Sequence, residues 1–203
     1  MRELQPYAIA NKNAQAFLES SEFIDWREPA VFDKAIKLSN ACDNKEQVAQ
    51  ACFNFVRDEI QHSWDYQRKI VTCRASDVLK HTTGFCYAKS HLLAALLRAN
   101  NIPAALCYQR LTNDDVASAY CLHGLNAVYL EQYGWYRIDA RGNKEGVNAE
   151  FTPPTECLAF PLVDAGEADI EGFYPEPLIS VVEVLSNHQN CQQVSANLPD
   201  LSF

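Results

Sequence analysis

Residues 82–106, TTGFCYAKSHLLAALLRANNIPAAL, constrain this chain more than any other stretch. Leu92, Leu93, Leu96 and Leu97 recur at three- and four-residue steps, which places them on one face of a helix and anchors it in a core. Gly84 has the freedom for a tight entry turn, and Asn100-Asn101 before Pro103 close the helix. Cys86 stands between the turn and the apolar run, where helix N–H groups are unpaired and the dipole is positive. A thiolate, the attacking form of cysteine, is stabilised at such a place. The competing reading makes Cys86 one more small core residue, because cysteine is among the residue types most often buried.

Around this helix the pattern is helices first and strands later, which predicts an α+β fold and not a doubly wound sheet. Helical spacing marks residues 11–20, 29–42 with Pro29 in the first turn, and 43–60 with Asp43 or Asn44 as cap. A short helix is expected over 75–81, capped by Ser76, and a last one over 175–188. After Pro103 the segments 104–111, 125–131 and 135–140 are short and rich in Val, Ile, Tyr and Trp, as strands are. The compact turn EQYG, ending at Gly134, joins the last two as an antiparallel hairpin. Residues 111–120 read as a polar loop in which Asp114 and Asp115 are solvated charge. At 203 residues one domain, 1–203, is expected.

Charge narrows the partners. Lys+Arg 17 against Asp+Glu 26 leaves a formal charge of −9 with no basic cluster, which argues against nucleic acid and anionic membranes. No apolar run approaches a spanning helix, and the first residues lack a signal-peptide core, so a cytoplasmic location is expected. The eight cysteines include no C-x-x-C pair, so neither a zinc ribbon nor a thioredoxin-type motif is supported, and most are expected reduced and buried. His81 and His91 flank Cys86, but their spacing does not converge on one point, so no metal and no cofactor are expected. No acidic loop of EF-hand form is visible either.

Two residues give Cys86 chemical company. His123 opens the strand HGLNAVYL, and Asp139 closes the strand WYRIDA after the short turn. Pairing across that turn sets the start of one strand beside the end of the other. A carboxylate there can hold an imidazole while the ring's other nitrogen faces a sulfur, the logic of a nucleophile–base–acid triad. Either residue alone is better read as structural: a satisfied histidine and a strand-end aspartate. The three together carry the hypothesis.

The segments GFCYAKSHLLAALLRANNIPA, His123 and GWYRIDA resemble the transglutaminase-like superfamily, within the broader papain-like cysteine-hydrolase group. That family's pattern is Gly-x-Cys leading a Leu/Ala-rich helix, a His at a strand start, then Gly-Trp and an Asp ending the next strand. The resemblance covers about 48–142, which implies a core there with N-terminal helices over 1–47 and an extension, 143–203, packed on it. The same resemblance implies Cys86 as nucleophile, His123 as general base and acid, and Asp139 as orienting carboxylate. It also implies a papain-like, transglutaminase-core fold with the Cys-bearing helix packed on an antiparallel sheet. Many members carry a Trp two residues after the histidine and an acid four after it; Leu125 and Ala127 stand here instead.

The expected activity is cysteine-dependent hydrolysis of an amide or acyl bond, as in a peptidase or amidase, on a peptide, a protein or a small amide. One alternative is acyl transfer from protein glutamine to an amine, and another is a binding module that keeps the fold without turnover. One oxyanion donor is expected to be the Cys86 N–H, with Gln61, His62 and Trp64 as candidates for the second. Phe85, Tyr87 and Trp135 are candidates to line the substrate cleft, though Trp135 also reads as core. The extension after residue 142 is left as a wall, a lid or packing.

Overall fold

The computed structural model describes residues 14–113 and 119–201. Helix α1 (Pro29–Ser39) begins on the proline, whose fixed φ suits a first turn. Helix α2 (Lys45–Glu59) is capped by Asn44, which accepts from the Gln47 N–H at 2.9 Å, while the Gln47 side chain accepts from the Asp43 N–H at 2.7 Å. Of the two candidate caps, Asn44 is therefore the one used. Helix α3 (Ala75–His81) starts one residue before its expected cap. Ser76 lies inside the first turn, and both its N–H and its hydroxyl donate to Asp25, so a carboxylate from a distant segment serves the orphan donors. In place of a helix over 11–20 there is a 3-10 turn at Ala14–Phe17; residues 11–13 lie outside the described residues.

Helix α4 (Cys86–Ala99) is the centre of the molecule. Every residue from Cys86 to Arg98 is buried, because α1, α2 and α3 pack on one side and the sheet on the other. A helix buried all round must satisfy its polar side chains internally. Ser90 donates to the Cys86 carbonyl at 2.9 Å. Arg98 donates to the carbonyls of Ala104, Glu19 and Pro175, tying the last turn of α4 to three separate segments. Lys89 donates to the carbonyls of Ile60 and Arg57, closing the C-terminal end of α2.

The main sheet holds β3 (Ala104–Thr112), β4 (Tyr120–Leu130), β5 (Gly134–Ile138) and β6 (Ala168–Asp169), in the order β5-β4-β3-β6 and antiparallel throughout. Gly134, at φ +75°, ends the turn between β4 and β5, as the hairpin requires. The fold is thus α+β, with the Cys-bearing helix laid on an antiparallel sheet. A second, two-stranded parallel sheet pairs β1 (Gln61–His62) with β2 (Thr83–Gly84), in the register His62↔Gly84. It is short, but it delivers the chain after α2 to the doorstep of Cys86.

Strand β4 begins earlier than expected. Tyr120 opens it, so His123 is its fourth residue, and β3 runs one residue past its expected end at Leu111, to Thr112. Asp114 and Asp115 lie outside the described residues. Leu125 and Ala127 join Phe17, Ala105 and Cys107 in a small apolar cluster flanked by Trp135, Leu158 and Phe173. These two positions, where the resembled pattern has a Trp and an acid, are thus enclosed by apolar side chains.

The extension is woven into this core. Val181 and Leu185 of α5 (Ile179–Asn187) and Cys191 and Val194 of α6 (Cys191–Ser195) share the main apolar cluster with α4. Tyr174 bridges to Leu106, and Pro199 accepts from the Leu122 N–H at 2.7 Å. All eight cysteines are free thiols, four buried and four half-buried, so fewer are buried than expected. No helix among the described residues is long and apolar enough to cross a membrane.

Candidate active site

Cys86 is the first residue of α4. Phe85 before it is extended and makes no side-chain cap, so the helix start is left open to a partner of another kind. The sulfur lines a cleft of about 350 Å³, and the residue keeps 8% of its surface exposed. It is not sealed in hydrocarbon.

His123 and Asp139 meet beside it. The β4–β5 register pairs Asn126 with Ile138, so one further step sets Asp139 level with Leu125, two residues along from His123. That diagonal is within reach of an imidazole and a carboxylate. Nε2 of His123 lies 2.7 Å from Asp139 Oδ2, which leaves Nδ1 as the nitrogen able to face sulfur. Asp139 is itself held by the N–H groups of Arg141, on Oδ1, and Ala159, on Oδ2, each at 3.1 Å. Burial opposes a charge on the His123 ring, but the Asp139 carboxylate and the neighbouring Cys86 side chain overcome it, raising its pKa to about 10. Burial likewise opposes the charge on Asp139, and His123 with the two N–H donors reverses this and lowers its pKa.

The walls come from three directions. Phe160 stands edge-on to the imidazole, ring centres 5.0 Å apart. His62 and Trp64 line the cleft from the β1 side, with His62 stacked edge-on against Phe85 at 5.7 Å. Burial and then Arg141 drive the His62 pKa well down, so its ring is neutral. Its Nδ1 lies 3.5 Å from Asp65 Oδ2, without hydrogen-bond geometry. Arg141 spans the site, its guanidinium paired with both Asp65 oxygens at 2.6 and 3.0 Å and its backbone N–H on Asp139.

Phe85 and Tyr87 also line the cleft, where the Tyr87 hydroxyl donates to the Leu122 carbonyl. Two of the expected residues stand apart from this cleft. Gln61 does not line the cleft; its carbonyl accepts from Thr83 and its N–H pairs with Thr82, so its backbone is spent on the small parallel sheet. Trp135 does not line it either, but packs between Phe17, Tyr129 and Phe173 in the second apolar cluster. Residues 135 and 136 are both aromatic, and strand alternation sends Tyr136 to the main core and Trp135 away from it. Sequence reasoning missed Phe160, because no local pattern marks a ring arriving from the turn-rich extension, and Arg141, because its partner Asp65 lies 76 residues away. His91 spends Nδ1 on the Cys73 carbonyl at 2.7 Å. No group of three or more His, Cys, Asp or Glu among the described residues could hold a metal ion.

A sequence profile described as the transglutaminase-like superfamily matches residues 33–140, which is more than half of the chain. The chain belongs to the transglutaminase-like superfamily. The match runs from α1 to the residue after Asp139, so the superfamily core includes all three elements that meet at the cleft, while Phe160 and Ala159 lie beyond it. Among solved structures, a candidate cysteine protease from Cytophaga hutchinsonii superposes with a TM-score of 0.54 at 19% identity, over 68% of this chain and 45% of the other. The periplasmic domain of TgpA from Pseudomonas aeruginosa gives a TM-score of 0.48 at 19% identity, over 66% of this chain and 48% of that one. This transglutaminase-like chain thus spans a little under half the length of these two solved structures. No curated protein matches it.

Proposed function

We propose that this chain is a cysteine-dependent acyl or amide hydrolase, a peptidase or amidase, with Cys86 as nucleophile, His123 as general base and acid, and Asp139 as the orienting carboxylate. The observation that carries the reading is the run of contacts from Asp139 through the His123 ring to the Cys86 sulfur, at the floor of an open cleft. Membership of a superfamily whose fold supports this chemistry adds to it.

In this reaction His123 takes or already holds the thiol proton, the Cys86 sulfur attacks the carbonyl carbon, and the C–S bond forms as the carbonyl oxygen takes the charge. The helix-start N–H of Cys86 serves as one oxyanion donor, and a side chain on the His62–Trp64 wall as the second. Collapse breaks the C–N bond, and the His123 imidazolium gives its proton to the leaving amine. Water then attacks the thioester as His123 takes its proton, and the C–S bond breaks, which releases the acid and restores the sulfur. A base held in place is worth about 10²–10⁴-fold. Peptides and proteins fit best as substrates, because the cleft is open and walled by aromatic and aliphatic side chains such as Trp64, Phe85, Leu122 and Phe160.

Iodoacetamide labelling of the intact protein tests the nucleophile. At about pH 6, Cys86 reacts ahead of the other seven cysteines, and Cys86→Ala erases this fast labelling. Slow, uniform labelling that appears only at alkaline pH overturns the proposal. A library of Gln-containing peptides, with and without a primary amine, then separates hydrolysis from transfer by product mass. Free acid products support hydrolysis, and amine adducts replace it with acyl transfer.

A further inference from the structure

Strand β4 has eleven residues and its neighbour β5 five, so pairing covers only Asn126 to Leu130. Before Asn126 that edge of β4 has lost its partner strand, and its backbone groups must be satisfied in some other way. Alternate residues of a strand turn their N–H groups to the same edge, so Leu122, Gly124 and Asn126 share it. The Leu122 N–H finds the Pro199 carbonyl at 2.7 Å, and the Leu122 carbonyl takes the Tyr87 hydroxyl. The Gly124 N–H finds the sulfur of Cys86, at 3.4 Å and buried. Sulfur stands where a carbonyl of a longer β5 would have been.

This contact depends on the residue being glycine. A Cβ at 124 would lie 2.9 Å from Tyr87 Cδ1, 3.0 Å from Tyr87 Cα and 3.2 Å from Tyr87 N. The first turn of α4 can press against β4 only because nothing projects there. The same lack of a side chain that admits the helix brings the amide to the sulfur.

Building on the thiol reading above, we infer that the main-chain N–H of Gly124 belongs to the reaction centre: it donates to the Cys86 sulfur, favours its charged form and fixes its position beside His123. A hydrogen bond to an anion is stronger than one to its neutral form, so the amide acts before the C–S bond forms and again when the sulfur is released. His123 and Gly124 are adjacent, so one short piece of strand supplies both the ring and the amide that face the nucleophile. Register carries these two groups together: slipping β4 would lose both.

The test uses the full chain. His123-Gly124 is the single His–Gly step in the sequence, so carbonyl-¹³C histidine with ¹⁵N-glycine marks one amide among the seven glycines. In Cys86→Ala the Gly124 amide should exchange with deuterium about 10-fold faster or more, while the other glycines keep their wild-type rates. An unchanged Gly124 rate overturns the bond. Glycolic acid at position 124 replaces this N–H by oxygen, keeping the missing side chain. That ester variant, shown folded by its retained protection at the other glycines, should label with iodoacetamide at about pH 6 roughly 10-fold more slowly. An unchanged rate overturns the role. Should wild-type Cys86 show no selective labelling at all, the hydrolase reading falls, and the exchange measurement still decides whether the amide holds the sulfur.

Discussion

Asp139 Oδ2 lies 2.7 Å from Nε2 of His123, and neither Asp139 oxygen is free to turn away. Oδ1 takes the Arg141 N–H and Oδ2 the Ala159 N–H, so the carboxylate is clamped from two stretches of backbone while it holds the ring. One clamp lies immediately after β5; the other belongs to the extension, twenty residues on. The ring orientation is therefore set partly by a segment outside the superfamily core.

Asp139→Asn should be costly in two ways. Either rotamer of the amide turns an NH₂ toward a backbone N–H, leaving a donor facing a donor in a buried place. The imidazolium also loses its counter-charge. Losing one charged hydrogen bond is worth about 1.5–3 kcal/mol, so iodoacetamide labelling of Cys86 at about pH 6 should fall roughly 10- to 100-fold. Denaturant unfolding should show a loss of about 1–3 kcal/mol. Labelling at the wild-type rate would remove Asp139 from the reaction.

His123 should remain charged well into the alkaline range. Burial works against its charge, but Asp139 and Cys86 raise its pKa from 6.5 to about 10. The folded value lies above the unfolded one, so the linked stability is complete below about 6.5 and is lost as pH rises through about 10. Ring ¹⁵N shifts should show an imidazolium at about pH 8, where an ordinary histidine is neutral. The stability gap between wild type and His123→Asn should narrow over the same window.

Lys89 has the opposite sign. Burial, then the nearby Arg141, lower its pKa from 10.5 to about 7, although it donates to the Ile60 and Arg57 carbonyls. Its folded value is depressed, so the linked stability is present above about 10.5 and is lost as pH falls through about 7. Unfolding of wild type and Lys89→Met in urea across this window should show wild type gaining on the variant as pH rises. A constant difference would mean that the amine is not buried as a free base.

Gly134→Ala separates the hairpin from the chemistry. Nothing lies within 4 Å of a Cβ at this position, but the backbone sits at φ +75°. The expected cost is about 1–2 kcal/mol of stability, from the left-handed conformation alone. Cys86 labelling should stay at the wild-type rate, since the turn lies at the far end of β4 from His123.

Helix α4 was legible because its pattern is local: a leucine stripe, an entry glycine and an Asn-Asn-Ile-Pro stop act over one turn at a time. The same holds for Asn44, whose side chain bonds three residues on, and for the hairpin closed at Gly134. Ser76 misled as a cap because the group that serves α3 is Asp25, 51 residues away. Trp135 misled because two adjacent aromatics in a strand leave its phase open, and only the packing of Phe17 and Phe173 chooses it. Sequence by itself thus determined which helix is central, which thiol opens it, and which hairpin draws a histidine and an aspartate toward each other, although Asp139 falls one residue past the end of β5. Tertiary structure alone decided that β4 outruns β5, that Gly124 turns its bare amide to sulfur, and that Phe160 and Ala159 return to hold the imidazole and its carboxylate. The reason is physical: a cap or a turn is settled by neighbours in the chain, whereas an unpaired strand edge takes whatever partner the packing of remote segments brings to it.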